Sequence, residues 1–269
     1  MDRLRSMDLF LSPHLDDAIL SCGGTIRRLV REGRRVVLMT FFAGTPTSPM
    51  SALAEEFHEA CGLSGRDAIA SRREEDLNAC SVLGAEPVHL PHLECIYRQT
   101  MAGDPIYQVE DSIFRHWDPA DQDVLSALIR SLFNTDLWAQ AETVYAPLTV
   151  GGHVDHRLLR QVAEIRASAG PPGSGPAIRF YEDAPYVCRE PPLSSGDTLV
   201  VGLDPQGSVF DDECWEAKVE AICCYRSQVR MLWPDEPAWS GRLQQYARSA
   251  TGTPFGERFW DRVAGSPQR

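Results

Sequence analysis

The sequence predicts an α/β protein built on a mostly parallel sheet with helices on both faces. Two observations carry that reading. Short apolar segments rich in β-formers alternate with amphipathic helices in the order β-α-β-α-β-α-β over roughly the first half of the chain. Clusters of His and Asp stand directly behind two of the predicted strands, where open α/β sheets keep their ligands.

Met7 to Leu11 and Arg35 to Phe42 (RVVLMTFF) read as the first two strands. Between them Ala18 to Glu32 carries Ile19, Ile26, Leu29 and Val30 at helical spacing and stops at Gly33, which makes a β-α-β unit with a right-handed crossover. Arg66 to Leu83 is a second helix stopped by Gly84, and Val88 to Leu90 a third strand. Asp121 to Phe133 reads as another helix and Glu142 to Ala146 as another strand, followed by a helix beginning near Arg157. The order is that of a Rossmann-like, doubly wound sheet. After Ala169 the turn-rich GPPGSGP breaks the pattern. It is followed by a strand Ile178 to Tyr181, a strand near Thr198 to Gly202 and a helix Asp212 to Tyr225. The whole chain, 1–269, is read as one domain, with a core of about 1–169 and a C-terminal capping elaboration of about 170–269 over the rim of the sheet.

With 269 residues and 43% hydrophobic content, a substantial core can be buried. The net charge of −12 and the lack of a basic stripe argue against nucleic acid as a partner. Eight cysteines without CxxC pairs favour a reducing compartment over a disulfide framework. The apolar run in MDRLRSMDLFLSP is too short for a signal sequence or a membrane span, so a cytoplasmic protein without an anchor is expected. Lys218 is the only lysine among many arginines, a bias that hints at a GC-rich bacterial genome. A homo-oligomer is compatible with all of this.

Two polar clusters more than 130 residues apart, His14 to Asp17 and Pro147 to His156, are thus predicted to meet at one rim. A catalytic zinc takes three protein ligands, often His and carboxylate, and leaves a position for water; His14, Asp17 and His156 supply such a set. In His14-Leu15-Asp16-Asp17 a turn can aim His14 and Asp17 into one space and Asp16 to another side. In His153-Val154-Asp155-His156 the two rings share a face, one free to ligate and the other to handle protons. Each motif alone has a plainer reading, a helix cap with acids in its first turn or a polar surface loop. Their convergence favours a metal. His89 and His92 also have ligand-like spacing, but their apolar neighbours suit a packed strand end, and His58 and His116 have no partner pattern.

These residues resemble the zinc-dependent N-deacetylases of the PIG-L and LmbE-like family. The family's (A/S)HPDD motif stands here as Ser12-Pro13-His14-Leu15-Asp16-Asp17, and its HPDHR-like motif as His153-Val154-Asp155-His156-Arg157. Arg73, Asp76 and Leu77 with Leu83-Gly84 continue the resemblance, as do Tyr97-Arg98, the stretch Tyr181 to Tyr186, and Tyr225-Arg226-Ser227-Gln228. It implies His14, Asp17 and His156 as zinc ligands, Asp16 as general base, His153 as electrostatic or general-acid partner and Asp155 as its orienter. Chemistry agrees: an amide is a poor electrophile, so a metal must polarise it while Asp16 takes the proton of the attacking water and a protonated His153 helps hold the oxyanion. Iron or cobalt would also accept these ligands. Leu15 and Val154 replace the family's usual prolines, Gly151 stands where some relatives carry a tyrosine, and Glu94 where many carry an aspartate. Tyr186 and Tyr97 are candidates for the missing phenol, and Arg73, Glu94, Arg98, Glu182 and Asp183 for holding substrate.

The expected function is therefore a metal-dependent amide hydrolase, a zinc N-deacetylase that releases acetate from an N-acetylated amino sugar in a small glycoside or natural product. One alternative is an amidase of amino-sugar thiol conjugates; another, of a different class, is a relative that binds metal or ligand without turnover. Phosphoryl transfer by Asp16, Asp17 and magnesium would leave His14 and His156 without a use.

Overall fold

A computed structural model describes residues 6–47, 49–65, 67–171, 174–189, 193–194, 196–233 and 238–263. The predicted helix start at Arg66 and residues 172 and 173 of the turn-rich break lie outside them. Seven strands form one sheet: β1 (Met7–Ser12), β2 (Arg35–Thr40), β3 (Glu86–His89), β4 (Ala141–Pro147), β5 (Ala177–Tyr181), β6 (Leu203–Val209) and β7 (Gly256–Arg262), in the order β3-β2-β1-β4-β5-β7-β6. The first five are mutually parallel, and β7 runs antiparallel to both β5 and β6. Every residue of β1 is buried, as expected for a central parallel strand with helices on both faces. Chain order reverses between β1 and β4, so their carboxyl ends open side by side into one crevice.

The helices that follow these two strands start at that crevice. α1 (Asp17–Arg31) leaves β1, and α6 (Val154–Ser168) leaves β4. α6 begins a turn earlier than the sequence pattern places it, because His153 caps it: the ring Nδ1 accepts the Asp155 amide at 3.2 Å. α3 (Asp67–Leu83) and α4 (Gln122–Phe133) match the predicted spans closely, and α7 (Asp212–Cys224) does as well. α7 lies close against α1 because Gly23 and Gly24 have no side chains; a Cβ on Gly24 would meet the Phe210 ring at 2.1 Å. Lys218 on α7 is buried there and donates to Glu257, which also accepts the amides of Gly24 and Thr25, so the chain's one lysine has a structural task.

The predicted strand near Thr198 to Gly202 is a correction. Thr198–Val200 form a 3-10 turn, Gly202 turns the chain at φ 78°, and the strand is β6 immediately after. β6 is an edge strand with Pro205 in it, mostly exposed, so it lacks the apolar run that marks a buried strand. The C-terminal part does more than cap. β5 extends the parallel sheet, β6 and β7 continue it, and Tyr186, Arg189, Gln228, Met231 and Leu232 reach the crevice. α2 (Ala52–Cys61), α5 (Leu137–Gln140), α8 (Arg226–Leu232) and α9 (Trp239–Thr251) complete the helices. A second, small core of Leu53, Ile69, Ile96, Tyr107, Ile113 and Val154 fixes the outer wall of the crevice.

Candidate active site

Ser12 makes the turn that presents the first motif. Its hydroxyl donates to the His14 carbonyl at 2.7 Å and accepts the Ala18 amide at 3.1 Å, tying the end of β1 to the first turn of α1. The second motif is presented by a strained loop. Thr149, Gly151 and Gly152 all have positive φ (73°, 80° and 77°), and Thr149 does so with a β-branched side chain, at a cost of about 1–2 kcal/mol. Gly151 is required by space as well, since a Cβ there would lie 2.5 Å from the Tyr186 ring. Tyr186 thus covers the place where a side chain at 151 would stand.

Between the two motifs lies a cleft of about 170 Å³. At its base one oxygen of Asp17, Oδ2, is 3.0 Å from His14 Nδ1 and 3.2 Å from His156 Nε2. The far nitrogen of each ring is held by a different buried carboxylate: His14 Nε2 is 3.0 Å from Asp155 Oδ2, and His156 Nδ1 is 2.7 Å from Asp183 Oδ1. Burial alone would lower both histidine pKa values. The carboxylates overcome it, Asp17 foremost, so that His14 is raised well above the usual range and His156 to about 9. Asp17, between the two rings, is held well below the carboxylate range despite its burial. Among the described residues, the buried His156 Nε2 meets no partner in hydrogen-bonding geometry.

Asp16 and Asp17 are adjacent and both line the cleft, yet their surroundings differ. Among the described residues the Asp16 carboxyl makes no hydrogen bond; burial and the neighbouring Asp17 push it up to about 7, against the pull of Arg72. His153 shares the cleft, its ring centroid 4.9 Å from that of His14 and 5.2 Å from that of His156. Burial, and then His14, hold its pKa well below the usual value, which favours the neutral ring over the protonated one the chemistry leads one to expect. A nitrogen that accepts a backbone N–H carries no proton, so the proton of this ring sits on Nε2, facing the cleft and 3.8 Å from Cys95 Sγ.

The other predicted residues divide. Glu94 and Tyr186 line the cleft as expected. Asp155 does not put its carboxylate on His153; it faces His14, the Cys95 amide and Arg98, and gives His153 only its backbone N–H. Arg73 is turned away, its guanidinium donating to the Ala43 carbonyl. Arg98 lies behind Asp155, outside the lining of the cleft. Asp183 is spent on His156 and the Val150 amide, and Glu182 on Tyr246, Arg258 and Trp260. His89 and His92 are strand-end residues, on Asp76 and Ser131.

Two cleft residues escape the sequence reading. Arg72, the neighbour of Arg73, pairs with Glu94 at 2.5 Å, and His58 meets the Tyr97 hydroxyl at 2.7 Å. One position along a helix is about a 100° turn, so the choice between adjacent arginines needs a precise helical phase. α3 hides its phase by burying Arg72 and Asp76 alongside Ile69 and Cys80. Phe57, Ile113, Phe114, Met231 and Leu232 make the cleft's apolar side.

The chain as a whole is similar to known proteins. Residues 9–166 match the PIG-L family, described as GlcNAc-PI de-N-acetylase. The chain is 30% identical over 271 residues to a 2'-N-acetylparomamine deacetylase of Streptomyces fradiae, covering 95% of this chain and 90% of that one. Among solved structures, a zinc-inhibited form of teicoplanin deacetylase superposes with a TM-score of 0.84 at 28% identity, over 97% of this chain and 100% of the other. The A40926 pseudoaglycone deacetylase does so at 0.79 and 28%, over 98% and 99%.

Proposed function

The chain belongs to the PIG-L family of de-N-acetylases, and from that premise we propose a metal-dependent hydrolase that removes the acetyl group from an N-acetylated amino sugar of a small glycoside or natural product. The observation that carries the reading is the paired arrangement at the base of the cleft, where two imidazoles converge on Asp17 and a buried carboxylate fixes the outward nitrogen of each. A carboxylate that accepts the outer N–H of a histidine leaves the inner nitrogen as a lone-pair donor. His14 Nδ1 and His156 Nε2 are such donors, 3.0 and 3.2 Å from Asp17 Oδ2, and the His156 nitrogen, without a partner among the described residues, gains a bond when a cation enters. Two nitrogens and a carboxylate suit zinc, with iron or cobalt as competitors. His153 also offers a nitrogen within 4.8 Å of one from each of His14 and His156; its Nδ1 accepts the Asp155 amide, and in this reading its Nε2 serves the substrate instead of the cation.

A bound divalent cation would supply Lewis acidity, polarising the amide carbonyl and acidifying the attacking water. The residues of the chain do the rest. Asp16, poised near neutrality, takes a proton from the water as it attacks. The Nε2–H of neutral His153 donates to the oxygen on which negative charge develops. When the C–N bond breaks, Asp16 returns the proton to the leaving nitrogen, so acetate and a free amine depart. Arg72, Glu94, His58 and Tyr97 form the polar wall for the sugar, with Tyr186 above His156 closing the acyl end.

The relatives that support the substrate class act on acetylparomamine and on an antibiotic pseudoaglycone. The test is acetate release by the metal-reconstituted protein over a panel of N-acetylated amino sugars, with Asp16→Asn alongside. Asp16→Asn should keep its metal and lose about 10²–10⁴-fold in kcat. Full turnover by that variant would remove Asp16 from the role of base.

A further inference from the structure

Arg98 has no contact with the cleft, yet it sits at the centre of a buried chain of charges that ends on His14. Its Nη2 is 2.7 Å from Asp155 Oδ1 and its Nε 3.1 Å from Asp121 Oδ1. The Tyr107 hydroxyl donates to the other oxygen of Asp121 at 2.6 Å. On the far side, Asp155 Oδ2 meets His14 Nε2 at 3.0 Å and accepts the Cys95 amide at 3.0 Å. Asp121 and Asp155 are fully buried and Arg98 nearly so. The guanidinium is sandwiched between the rings of Phe42 and Tyr107, 5.5 and 5.4 Å from their centroids, which fixes where its charge lies.

We propose that Arg98 is a positioning residue for metal binding: it anchors the Asp155 carboxylate that fixes His14, and through Asp121 and Tyr107 it ties this ligand to the loop forming the outer wall of the cleft. The guanidinium nitrogens lie off the hydrogen-bond directions, so the hold is coulombic. The two histidines therefore differ in support. Asp183 behind His156 is fixed by a single backbone amide, that of Val150, whereas Asp155 behind His14 has an amide and a cation. Without Arg98 the Asp155 carboxylate keeps the Cys95 amide on Oδ2 but loses the charge that holds Oδ1, so its hold on His14 weakens. The same loop bears Ile113 and Phe114 of the cleft, so order at the wall and order at His14 share one cation.

This inference rests on the proposed ligand set and is tested on the whole chain by titrating Co2+ into metal-free protein, reading affinity by chelator competition and ligand geometry from the visible d–d bands. Arg98→Met should bind Co2+ about 10- to 100-fold more weakly with altered bands, and Arg98→Lys, which restores the charge without the planar fork, should recover most of the affinity. Leu128→Ala, a core substitution outside the cleft lining, supplies a destabilised control that should keep both affinity and bands. If Arg98→Met does not fold, the charge-balanced pair Arg98→Met with Asp121→Asn removes the cation and one anion together, and the same loss is expected. Wild-type affinity and bands in the arginine-free protein would overturn the proposal, as would an equal loss in Leu128→Ala. Failure of the wild-type protein itself to take up Co2+ would instead strike the ligand set.

Discussion

Asp183→Asn isolates what the second buried carboxylate contributes. Asp183 uses one oxygen to accept from His156 Nδ1 at 2.7 Å and the other to accept the Val150 amide at 2.9 Å. Asparagine keeps the shape but has one acceptor and one donor. If its oxygen stays on His156, its NH2 opposes the Val150 N–H and a buried amide loses its partner, costing about 1–3 kcal/mol of stability. If its oxygen turns to Val150, its NH2 faces His156 Nδ1, and the ring, charged in the metal-free protein below about pH 9, must give up its Nδ1 proton and keep the one on Nε2, toward Asp17. The second orientation keeps the Val150 bond and leaves Nε2–H 3.2 Å from Asp17 Oδ2, but it costs the ring its positive charge. It also removes the lone pair a metal needs. The expected result is a lowered melting temperature without metal near neutral pH, where the ring is otherwise charged, and a metal affinity lowered about 10- to 100-fold, or about 1.4–2.8 kcal/mol. Competition with a chromogenic chelator and paired melts of chelated and loaded protein read both quantities. Glu182→Gln is the control, since the neighbouring acid serves Tyr246, Arg258 and Trp260; it should melt lower and bind metal normally. Wild-type metal affinity in Asp183→Asn would refute the argument.

Three further outcomes are expected. Arg72→Ala should raise KM for amino-sugar substrates, whereas Arg73→Ala, which loses only its bonds to the Ala43 carbonyl, should cost about 1–3 kcal/mol of stability and leave KM unchanged; steady-state kinetics and denaturant melts separate the two. Gly151→Ala places a methyl group 2.5 Å from the Tyr186 ring at a left-handed backbone position, so about 1–2 kcal/mol of stability should be lost and kcat should fall as the His153 loop shifts, while Gly241→Ala, with nothing within 4 Å, should be benign in the same assays. In chelated protein the folded His156 pKa of about 9 lies above the unfolded value of 6.5, so its stabilisation is complete below pH 6.5 and disappears as pH rises through 9. Melts at pH 6, 7.5 and 9 should therefore fall for the chelated protein while the metal-loaded curve stays above it by a widening margin, and a chelated curve that rises with pH would contradict the assignment.

Legibility in the sequence followed burial. β1, β2 and β4 are buried through most of their length, so apolar runs alone mark them and their neighbours fix the helices between. β6 and the C-terminal helices were hidden because an exposed edge strand and short helices share their apolar faces with many partners. The same logic runs through the cleft. His14, Asp16, Asp17, His153 and His156 are legible because two short motifs stand behind two adjacent strands. The supporting acids are not, because Asp155, Asp183 and Glu182 differ only in which way each carboxylate points within a packed interior.

By itself, then, the sequence determined that a parallel α/β sheet would bring two histidine and aspartate motifs to one rim, since strand order and hydrophobic period are local properties of the chain. Only the tertiary structure decided how far the surroundings of the two adjacent acids push them apart, which of two adjacent arginines enters the cleft, and that Arg98 lies behind Asp155. Those distinctions depend on side-chain direction, desolvation and the charges contributed by elements distant in sequence. A pKa of about 7 for Asp16 and a depressed one for Asp17 arise from the same two-residue stretch in surroundings that include Arg72 of α3 for the one and His156 of α6 for the other.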